Sequence, residues 1–466
     1  MGYPKVVSFA LNIISFPLLL QSIGLKQYGL FVYISSVAIM CEIFMDFGIT
    51  SAWGKVCTYL RSEKKPLLHN YSIWLKSQIG IALVGFILFL VIGSFFFEDD
   101  FIIYKYILCS LFISVINNFQ KVTLSAFLEF KFVARLDLLE SSIRSFTYLI
   151  VAFYYQTVVT LSLLSIVSAL ILLAFSSFFV GNVLRHLKDP TTETRSTVIY
   201  KGILNQAPLF LWLRLSTRAF HEVPILIIRY YSGEYVVGLL GSMRKLTEYL
   251  VIPFSIVGNI IMYRGKELLD SGKGLLLLNN INLLYFLALC SMPLIIVFQN
   301  VIGKSFVDSN FETNKFIFLT TLYTSSHIVF ALYAPVSDYL GALLKRNIFL
   351  TIIVLIALIS LGIIANMDLY YDVLIYLVVC LNVTLGIGYY IISRITILKQ
   401  KTHFILKSEA MIIIQFLLSF SFLFQYAFEI GFEFNFLITG FTISCIFFWF
   451  IYRESIMEGL KRFQNI

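Results

Sequence analysis

Two arginines and a glutamate lie four residues apart in the apolar segment 203–227, where charges are costly. If this segment is a helix, Arg214, Arg218 and Glu222 share one face. A charged side chain in mid-membrane costs about 2.5–3.5 kcal/mol on insertion scales, so this face should line an aqueous cavity. Because an arginine fork matches phosphate oxygens, we predict an anion-binding site there. A structural Arg–Glu network, or arginines that extend to the membrane interface, is the alternative.

The apolar segment 235–260 carries three further charged side chains, Arg244, Lys245 and Glu248. Together with the preceding segment it has an excess of positive charge, which predicts that an anion site lies between these two segments. Since Arg244 and Glu248 are four residues apart, a simple ion pair between them is the alternative.

Two other apolar segments carry polar groups at helical spacing. Asn117 and Lys121 are one turn apart, and such groups suit sugar hydroxyls, although hydrogen bonding between helices is an equal alternative. Glu140 and Arg144 have the spacing of an ion pair. The candidate substrate-binding residues are Arg214, Arg218, Arg244, Lys245, Lys121 and Asn117.

Glu42 and Asp46 share one face of the apolar segment 30–52. Two carboxylates close together in a membrane favour binding of a proton or a sodium ion, which suggests cation coupling. The alternative is that Asp46 braces a helix turn near the cytoplasmic end. The candidate ion-coupling residues are Asp46, Glu42 and Glu222. The six cysteines form no C-x-x-C pair, so no metal site or other cofactor is predicted.

These residues require membrane-spanning helices to position them. The chain has 466 residues, of which 59% are hydrophobic and 13% charged, whereas a soluble domain is about 45–50% apolar and about 25% charged. The apolar segments are too long and too continuous for barrel strands. We therefore predict an all-α polytopic membrane protein of about fourteen transmembrane helices. The predicted spans are 6–23, 30–52, 77–97, 102–128, 137–155, 159–181, 203–227, 235–260, 275–298, 316–336, 348–366, 371–393, 409–428 and 434–452.

Lysine and arginine are concentrated in the loops on one side of these predicted spans. The positive-inside rule makes that side cytoplasmic and places both termini there. The net charge of +9 is thereby explained as a topology signal, without a nucleic-acid partner. The loops are short, which argues against an enzyme with a catalytic domain outside the membrane. The first span lacks a basic leader and a small-residue cleavage site, so we predict a retained helix.

A weak internal repeat links the two halves of the chain. Gly24–Leu30 and Gly233–Leu239 both have the pattern G-x-x-x-x-G-L, and each falls between two predicted spans. Repeats of this kind are typical of transporters, in which the substrate site lies at the repeat interface. A chance match of two glycine loops is the alternative.

The motifs around the first of these loops resemble a known family. With the pattern P-L-L-L, then L-G-x-x-x-Y-G-L, then D-L-G, the chain is similar to the polysaccharide transporters, the Wzx-type O-antigen flippases. Ile23 and Phe47 depart from this pattern. In the second half, Glu222 stands where the family usually has aspartate. The matching residues are Pro17-Leu18-Leu19-Leu20, Gly24, Tyr28-Gly29-Leu30, Asp46-Phe47-Gly48, Ile225–Ile228 and Gly233–Gly238.

The resemblance, and not the composition, implies the following architecture and activity. The fold is expected to be that of the multidrug/oligosaccharidyl-lipid/polysaccharide exporter superfamily, a MATE-like pair of six-helix lobes plus two C-terminal helices. The boundaries are 1–190, 191–400 and 401–466. The expected activity is transfer of an undecaprenyl-diphosphate-linked oligosaccharide from the cytoplasmic to the outer leaflet of the bacterial inner membrane. It would proceed by alternating access, coupled to a cation.

The implied partners are that lipid-linked substrate and membrane lipid, with polymerase and other polysaccharide-assembly proteins as candidates. Two alternatives stay open. One is a membrane-embedded polysaccharide polymerase or glycosyltransferase, for which the outer loops are short. The other is a cation-coupled multidrug exporter, against which the positive segment 203–227 argues.

Overall fold

In the computed structural model, the contacts between residues divide the chain into two compact units. One unit comprises Met1–Pro253 and Leu344–Leu381, and the other comprises Phe254–Leu343 and Asn382–Ile466. The structure describes residues 2–62, 68–127, 129–185 and 196–270, and isolated helical positions between 281 and 390. The predicted spans after residue 270 and the domain 401–466 thus fall mostly or wholly outside the described residues, and the predicted boundaries at 190 and 400 stay predictions.

The continuously described part of the chain is helical, as predicted. Seven α-helices lie between residues 2 and 270, and a π-helical turn, Val151–Tyr155, follows the fifth. Five stretches are long and apolar enough to cross a membrane: Leu11–Asp46, Asn70–Phe96, Phe101–Ala126, Val158–Arg185 and Gln206–Val251. The helices are α1 (Gly2–Asp46), α2 (Ile49–Ser62), α3 (Leu68–Phe96), α4 (Phe101–Ala126), α5 (Phe130–Ile150), α6 (Val158–Arg185) and α7 (Ser196–Asp270).

Helices α1 and α7 are each interrupted once by a glycine. Gly24 has φ 77° and ψ 157°, and Gly233 has φ 81° and ψ −177°. Essentially only glycine adopts this backbone region, so each glycine ends one helical half and begins another. We call the halves α1a and α1b, and α7a and α7b. Each helix supplies two predicted spans, and the two G-x-x-x-x-G-L loops break their helices at the same glycine.

The second predicted span, 30–52, begins and ends too late in the chain. Helix α1b ends at Asp46, because Phe47 and Gly48 have φ values of 49° and 74°. A side chain at Gly48 would clash with the carbonyl oxygen of Ala207 and lie 2.8 Å from the backbone nitrogen of Leu211. The Asp-Phe-Gly motif is therefore a break against which α7a packs closely, and α2 begins just after it.

The fifth predicted span, 137–155, begins too late. Helix α5 starts at Phe130, and residues 151–155 form the π-helical turn. The early part of α5 carries several charged residues, which hydropathy alone discounts.

The core between the helices combines aromatic stacking with buried hydrogen bonds. Trp53 of α2 stacks on Phe119 of α4 with ring centroids 5.6 Å apart, and its Nε1 donates to Thr123 Oγ1 at 2.9 Å. Gln120 Nε2 donates to Ser177 Oγ at 3.0 Å, which joins α4 to α6. Hydrogen bonding between helices, the alternative considered for the polar face of α4, is therefore present at Gln120.

Apolar side chains on the surface mark the part that faces lipid. Helices α3 and α6 expose large aliphatic and aromatic residues such as Val84 and Phe178. Exposed aromatic residues also lie at the end of α3, in the π-helical turn and at the end of α7a, as in the aromatic belts that form at membrane interfaces. They are Phe95, Phe96, Tyr154, Tyr155, Tyr230 and Tyr231. The chain is a multi-pass membrane protein.

Candidate functional site

The end of α1b and the middle of α7a are joined by an ion pair. Arg214 Nη1 donates to Asp46 Oδ2, and Thr50 Oγ1 donates to Asp46 Oδ1. The Asp46 side chain is 2% exposed, whereas that of Arg214 is 29% exposed. The structure thus makes a predicted ion-coupling residue and a predicted substrate-binding residue partners of each other. Their predicted roles stay predictions, but each group already has an opposite charge beside it.

Glu222 is held by arginine in two-point geometry. Arg244 Nη1 donates to Glu222 Oε2 at 2.9 Å, and Arg244 Nη2 donates to Oε1 at 2.7 Å. Both oxygens of this buried carboxylate are therefore engaged by α7b. Arg218, one turn before Glu222, comes only within 3.9 Å of it. The geometry strongly favours the Arg244 pair, because bidentate charge-assisted hydrogen bonds are the stronger ones.

The second half of α7 contains a further pair. Lys245 Nζ donates to Glu248 Oε2 at 2.7 Å, whereas Arg244 Nε lies 3.7 Å from Glu248 Oε1. The Arg244–Glu248 pair that spacing suggested is thus a secondary contact. Lys245 also lies over the ring of Tyr249, 5.7 Å from its centroid.

Helices α4 and α5 form the other end of the charged cluster. Lys121 bridges Asp137 and Glu140, with its Nζ 3.3 Å from Glu140 Oε2. Arg144 Nη2 donates to Glu140 Oε1 at 2.9 Å, so the predicted Glu140–Arg144 pair is present. Because two carboxylates engage Lys121, it joins α4 to α5 and has a structural role.

Two candidate residues differ from the others in having unmet polar atoms. Glu42 of α1b makes no ion pair or hydrogen bond with any residue that the structure describes, although the charges of Arg214, Arg218, Asp46 and Glu222 all act on it. Asn117 is buried, and its Oδ1 accepts no hydrogen bond from the described residues. Buried polar atoms are usually paired, so both groups are candidates for contact with a ligand.

The pairs join into one charged network across α1b, α4, α5 and both halves of α7. Arg144 interacts electrostatically with Glu248, and Glu140 with Lys245, which connects the two ends. The network contains six basic and six acidic side chains, so its formal charge is zero. The members are Glu42, Asp46, Lys121, Asp137, Glu140, Arg144, Arg214, Arg218, Glu222, Arg244, Lys245 and Glu248.

Arg218 is the basic residue of this network with the most solvent contact and the weakest pairing. Its side chain is 45% exposed, compared with 41% for Arg144 and 18% for Arg244, and Arg144 has a close carboxylate partner in Glu140. A guanidinium whose carboxylate contact is this long can donate hydrogen bonds to a phosphate oxygen without first breaking a close ion pair. The sequence pattern placed the anion site in this region, and the geometry singles out this side chain.

The site also contains residues that the sequence analysis missed. Phe16 of α1a packs edge-on against Tyr28 and Tyr249, with centroids 5.5 and 5.9 Å apart, and lies 6.2 Å from Tyr148. These rings come from four separate helical segments and lie beside the Lys245 end of the network. No spacing along the chain links them, so only the tertiary structure brings them to the site.

Comparison with known proteins gives matches at the level of structure. No protein-family model and no curated protein matches the sequence. The solved structure of "Lipid II flippase MurJ, inward closed conformation" matches with a TM-score of 0.63 and 15% identity, over 97% of this chain and 98% of that chain. An outward-facing multidrug resistance MATE family transporter of the MOP superfamily matches with a TM-score of 0.57 and 15% identity, over 86% and 95%.

A third structure, a MATE protein in the bent conformation, matches with a TM-score of 0.53 and 14% identity, over 85% of this chain and 94% of that chain. Such identities establish the fold alone. The chain therefore has the polytopic helical fold shared by these flippase and transporter structures.

Proposed function

We propose that this protein is a flippase that moves an undecaprenyl-diphosphate-linked oligosaccharide from the cytoplasmic to the outer leaflet of the bacterial inner membrane. The observation that carries the proposal is Arg218, a weakly paired and half-exposed guanidinium in the membrane-spanning part of the chain. Such a group needs water or an anion beside it. A diphosphate supplies an anion, and the polyprenyl chain attached to it suits a protein whose surface faces lipid.

Each neighbouring residue has a distinct role in this proposal. Arg218 binds a phosphate oxygen, and Arg214, Arg244 and Lys245 surround the anion while their carboxylate partners hold them in place. Asn117, whose buried Oδ1 accepts no hydrogen bond from the described residues, would accept one from a sugar hydroxyl once it is uncovered. Lys121 is also proposed to contact the substrate, and Asp137 and Glu140 hold it in place.

Charge balance gives the ion-coupling residues their role. Because the network is neutral without a ligand, a bound diphosphate adds uncompensated negative charge in a medium of low dielectric constant. A proton or sodium ion taken up at a carboxylate offsets that charge. Among the candidates, Asp46 and Glu222 already have arginine partners, so Glu42 is the carboxylate best placed to accept the cation.

The fold supports the same proposal in two ways. A structure named as a lipid II flippase shares the fold over nearly the whole chain. The matching glycine breaks in α1 and α7 support an internal repeat. We therefore propose two pseudo-symmetric six-helix lobes, 1–190 and 191–400, followed by two C-terminal helices in 401–466, with both termini cytoplasmic and alternating access as the transport mechanism.

A cation-coupled multidrug exporter is the second candidate. Because the network as a whole is neutral, it does not repel cationic drugs as the positive charge of segment 203–227 would, and Glu42 is a carboxylate without an ion pair among the described residues. A transporter of the multidrug resistance MATE family also shares the fold. We rank the flippase first because Arg218, whose carboxylate contact is long, is a basic residue that suits an anionic substrate better than a cationic drug.

The proposal is tested by the sidedness of lipid-linked oligosaccharide in spheroplasts with and without the protein. An impermeant glycan-cleaving reagent reports the outer fraction. We expect the glycan to accumulate on the inner face, beyond the reagent, when the protein is absent. If single units still reach the outer face but long chains vanish, the protein is a polymerase. If glycan distribution is unchanged and export of a cationic dye is lost, it is a drug exporter.

A further inference from the structure

The two G-x-x-x-x-G-L loops contact each other backbone to backbone. A side chain at Gly29 would clash with the carbonyl oxygen of Glu234 and lie 2.8 Å from the nitrogen of Gly238. A side chain at Gly238 would clash with the carbonyl oxygen of Leu25 and lie 3.2 Å from the nitrogen of Gly29. Only glycine permits so close an approach of two helices.

This contact is reciprocal. Leu25 and Glu234 each follow the first glycine of their motif, and Gly29 and Gly238 are each the second glycine. The second glycine of each loop therefore contacts a carbonyl group of the other loop, namely that of the residue that follows the first glycine there. The same surface used by both partners is the mark of a two-fold interface, here within one chain. Two motifs that match by chance have no reason to pair in this way.

Side chains around the glycines bind the same helices together. Arg229 Nη2 donates to Glu234 Oε1 at 2.7 Å within α7, and its guanidinium lies over the ring of Tyr33 in α1b, 5.5 Å from the centroid. Tyr33 in turn lies 5.9 Å from the ring of Phe97, between α3 and α4. The contact thus has a cation–π component beside its glycine core.

The loops lie between the charged network and the side that the loop charges make external. Glu222 and Gly233 are separated along α7a by about 16 Å at the helical rise of about 1.5 Å per residue. A backbone contact this close leaves no space for a lipid headgroup or a sugar. The geometry points to an outer gate: the paired G-x-x-x-x-G-L loops close the site from outside, and they must separate for release of any ligand.

The gate is tested without knowledge of the ligand by labelling from outside. The reporter is Ser36→Cys, a position that is 2% exposed and lies between Gly29 and Glu42 on α1b, in a variant whose six native cysteines are replaced. We expect Gly29→Ala and Gly238→Ala each to raise the rate of labelling by an impermeant maleimide about tenfold, because overpacking prevents closure.

Gly181→Ala is the matched control, since no atom lies within 4 Å of a side chain added there. It should label like the parent. If Gly29→Ala and Gly238→Ala, present in the membrane at the level of the control, also label like the parent, the gate is wrong. This readout depends on closure alone, so its result is independent of the proposed flippase activity.

A second variant covers the case in which the alanine variants do not fold. Tyr33→Cys with Arg229→Cys, in the cysteine-free background, keeps both glycines and is bridged by a short bifunctional thiol reagent. We expect efficient bridging, slower labelling of the Ser36→Cys reporter in the bridged protein than in the unbridged protein, and recovery after thiol reduction performed before labelling. Absence of bridging, or equal labelling of the bridged and unbridged proteins, would overturn the gate.

Discussion

Arg214 and Asp46 form an ion pair that ties the middle of α7a to the end of α1b, beside the Asp-Phe-Gly break. The carboxylate is almost fully buried, and Thr50 supplies its second hydrogen bond. The pair therefore joins two predicted spans that are far apart in sequence, at one end of the charged network. It also explains how an arginine is tolerated in an apolar helix.

Loss of one partner of this pair should destabilise the protein. Removing one member of a buried pair leaves an uncompensated charge and costs about 3–5 kcal/mol. We expect Arg214→Ala and Asp46→Ala each to lower the thermal unfolding temperature of the detergent-solubilised protein. The exchanged variant Asp46→Arg with Arg214→Asp should recover part of the loss.

Arg185→Ala is the control for this prediction, because Arg185 is exposed in the last turn of α6. It should leave the unfolding temperature close to that of the parent. An Arg214→Ala protein as stable as the Arg185→Ala protein would show that the pair contributes nothing.

Arg218 should matter for the ligand more than for the fold. Its carboxylate contact is long and its side chain half-exposed, so Arg218→Ala should leave the unfolding temperature nearly unchanged. A hydrogen bond between charged groups contributes about 1.5–3 kcal/mol, and its loss should weaken binding of a diphosphate lipid about 10- to 100-fold. Binding in nanodiscs measures this, and Arg218→Lys should retain part of the affinity.

Lys105→Ala is the matched loss of a positive charge, at an exposed position on α4 away from the network. If Lys105→Ala and Arg218→Ala weaken binding of the diphosphate lipid equally, the lipid responds only to the overall charge of the protein, and Arg218 makes no direct contact with it.

Glu42 should couple transport to a cation. It is the acidic residue of the network without an ion pair in the described part of the chain. We expect the initial transport rate in proteoliposomes to respond to an imposed proton or sodium gradient in the parent, and Glu42→Gln to abolish that response. Glu98→Gln, an exposed loop position, should respond as the parent does. A gradient response that survives in Glu42→Gln would assign coupling to another group.

Asp100 should make the outer gate sensitive to pH. Partial burial first, and then the charges of Glu234 and Asp99, raise the pKa of this loop carboxyl in the closed state, while Arg229 acts in the opposite direction. A raised pKa in the closed state means that protonation favours closure. The bias toward closure is complete below the ordinary value of about 3.9 and is lost as the pH rises through the raised pKa.

Labelling of the Ser36→Cys reporter at several pH values measures this dependence. Acid slows the maleimide reaction in both proteins because it protonates the thiol, so we expect labelling to slow more at acidic external pH in the parent than in Asp100→Asn. An Asp100→Asn profile identical to that of the parent would place the pH dependence, if any, on another group.

Much of this architecture can be predicted from the sequence, because the length of an apolar segment and the backbone freedom of a glycine are properties of the local sequence. Segments without charges predicted the helices, and Gly24 and Gly233 stand at the two breaks because their backbone conformation excludes other residues. The Glu140–Arg144 pair was predictable for the same reason, since both partners lie on one helix.

The pairing between helices was not predictable in this way. Asp46 finds Arg214, and Glu222 finds Arg244 in preference to Arg218, because of how the helices pack. Spacing along one helix favoured Arg218–Glu222 and Arg244–Glu248, which the structure shows as the longer contacts. The aromatic cluster around Phe16 likewise has no signal along the chain.

Flipping by the purified protein tests the central claim most directly. Proteoliposomes would contain undecaprenyl-diphosphate-linked oligosaccharide in both leaflets, and an impermeant glycan-cleaving reagent would report the fraction that reaches the outside. With the protein present, we predict cleavage of nearly all of the glycan, and a much slower approach to completion for Arg218→Ala than for Lys105→Ala. Cleavage that stops at the outer-leaflet fraction, with the protein folded and a cation gradient imposed, would contradict the account.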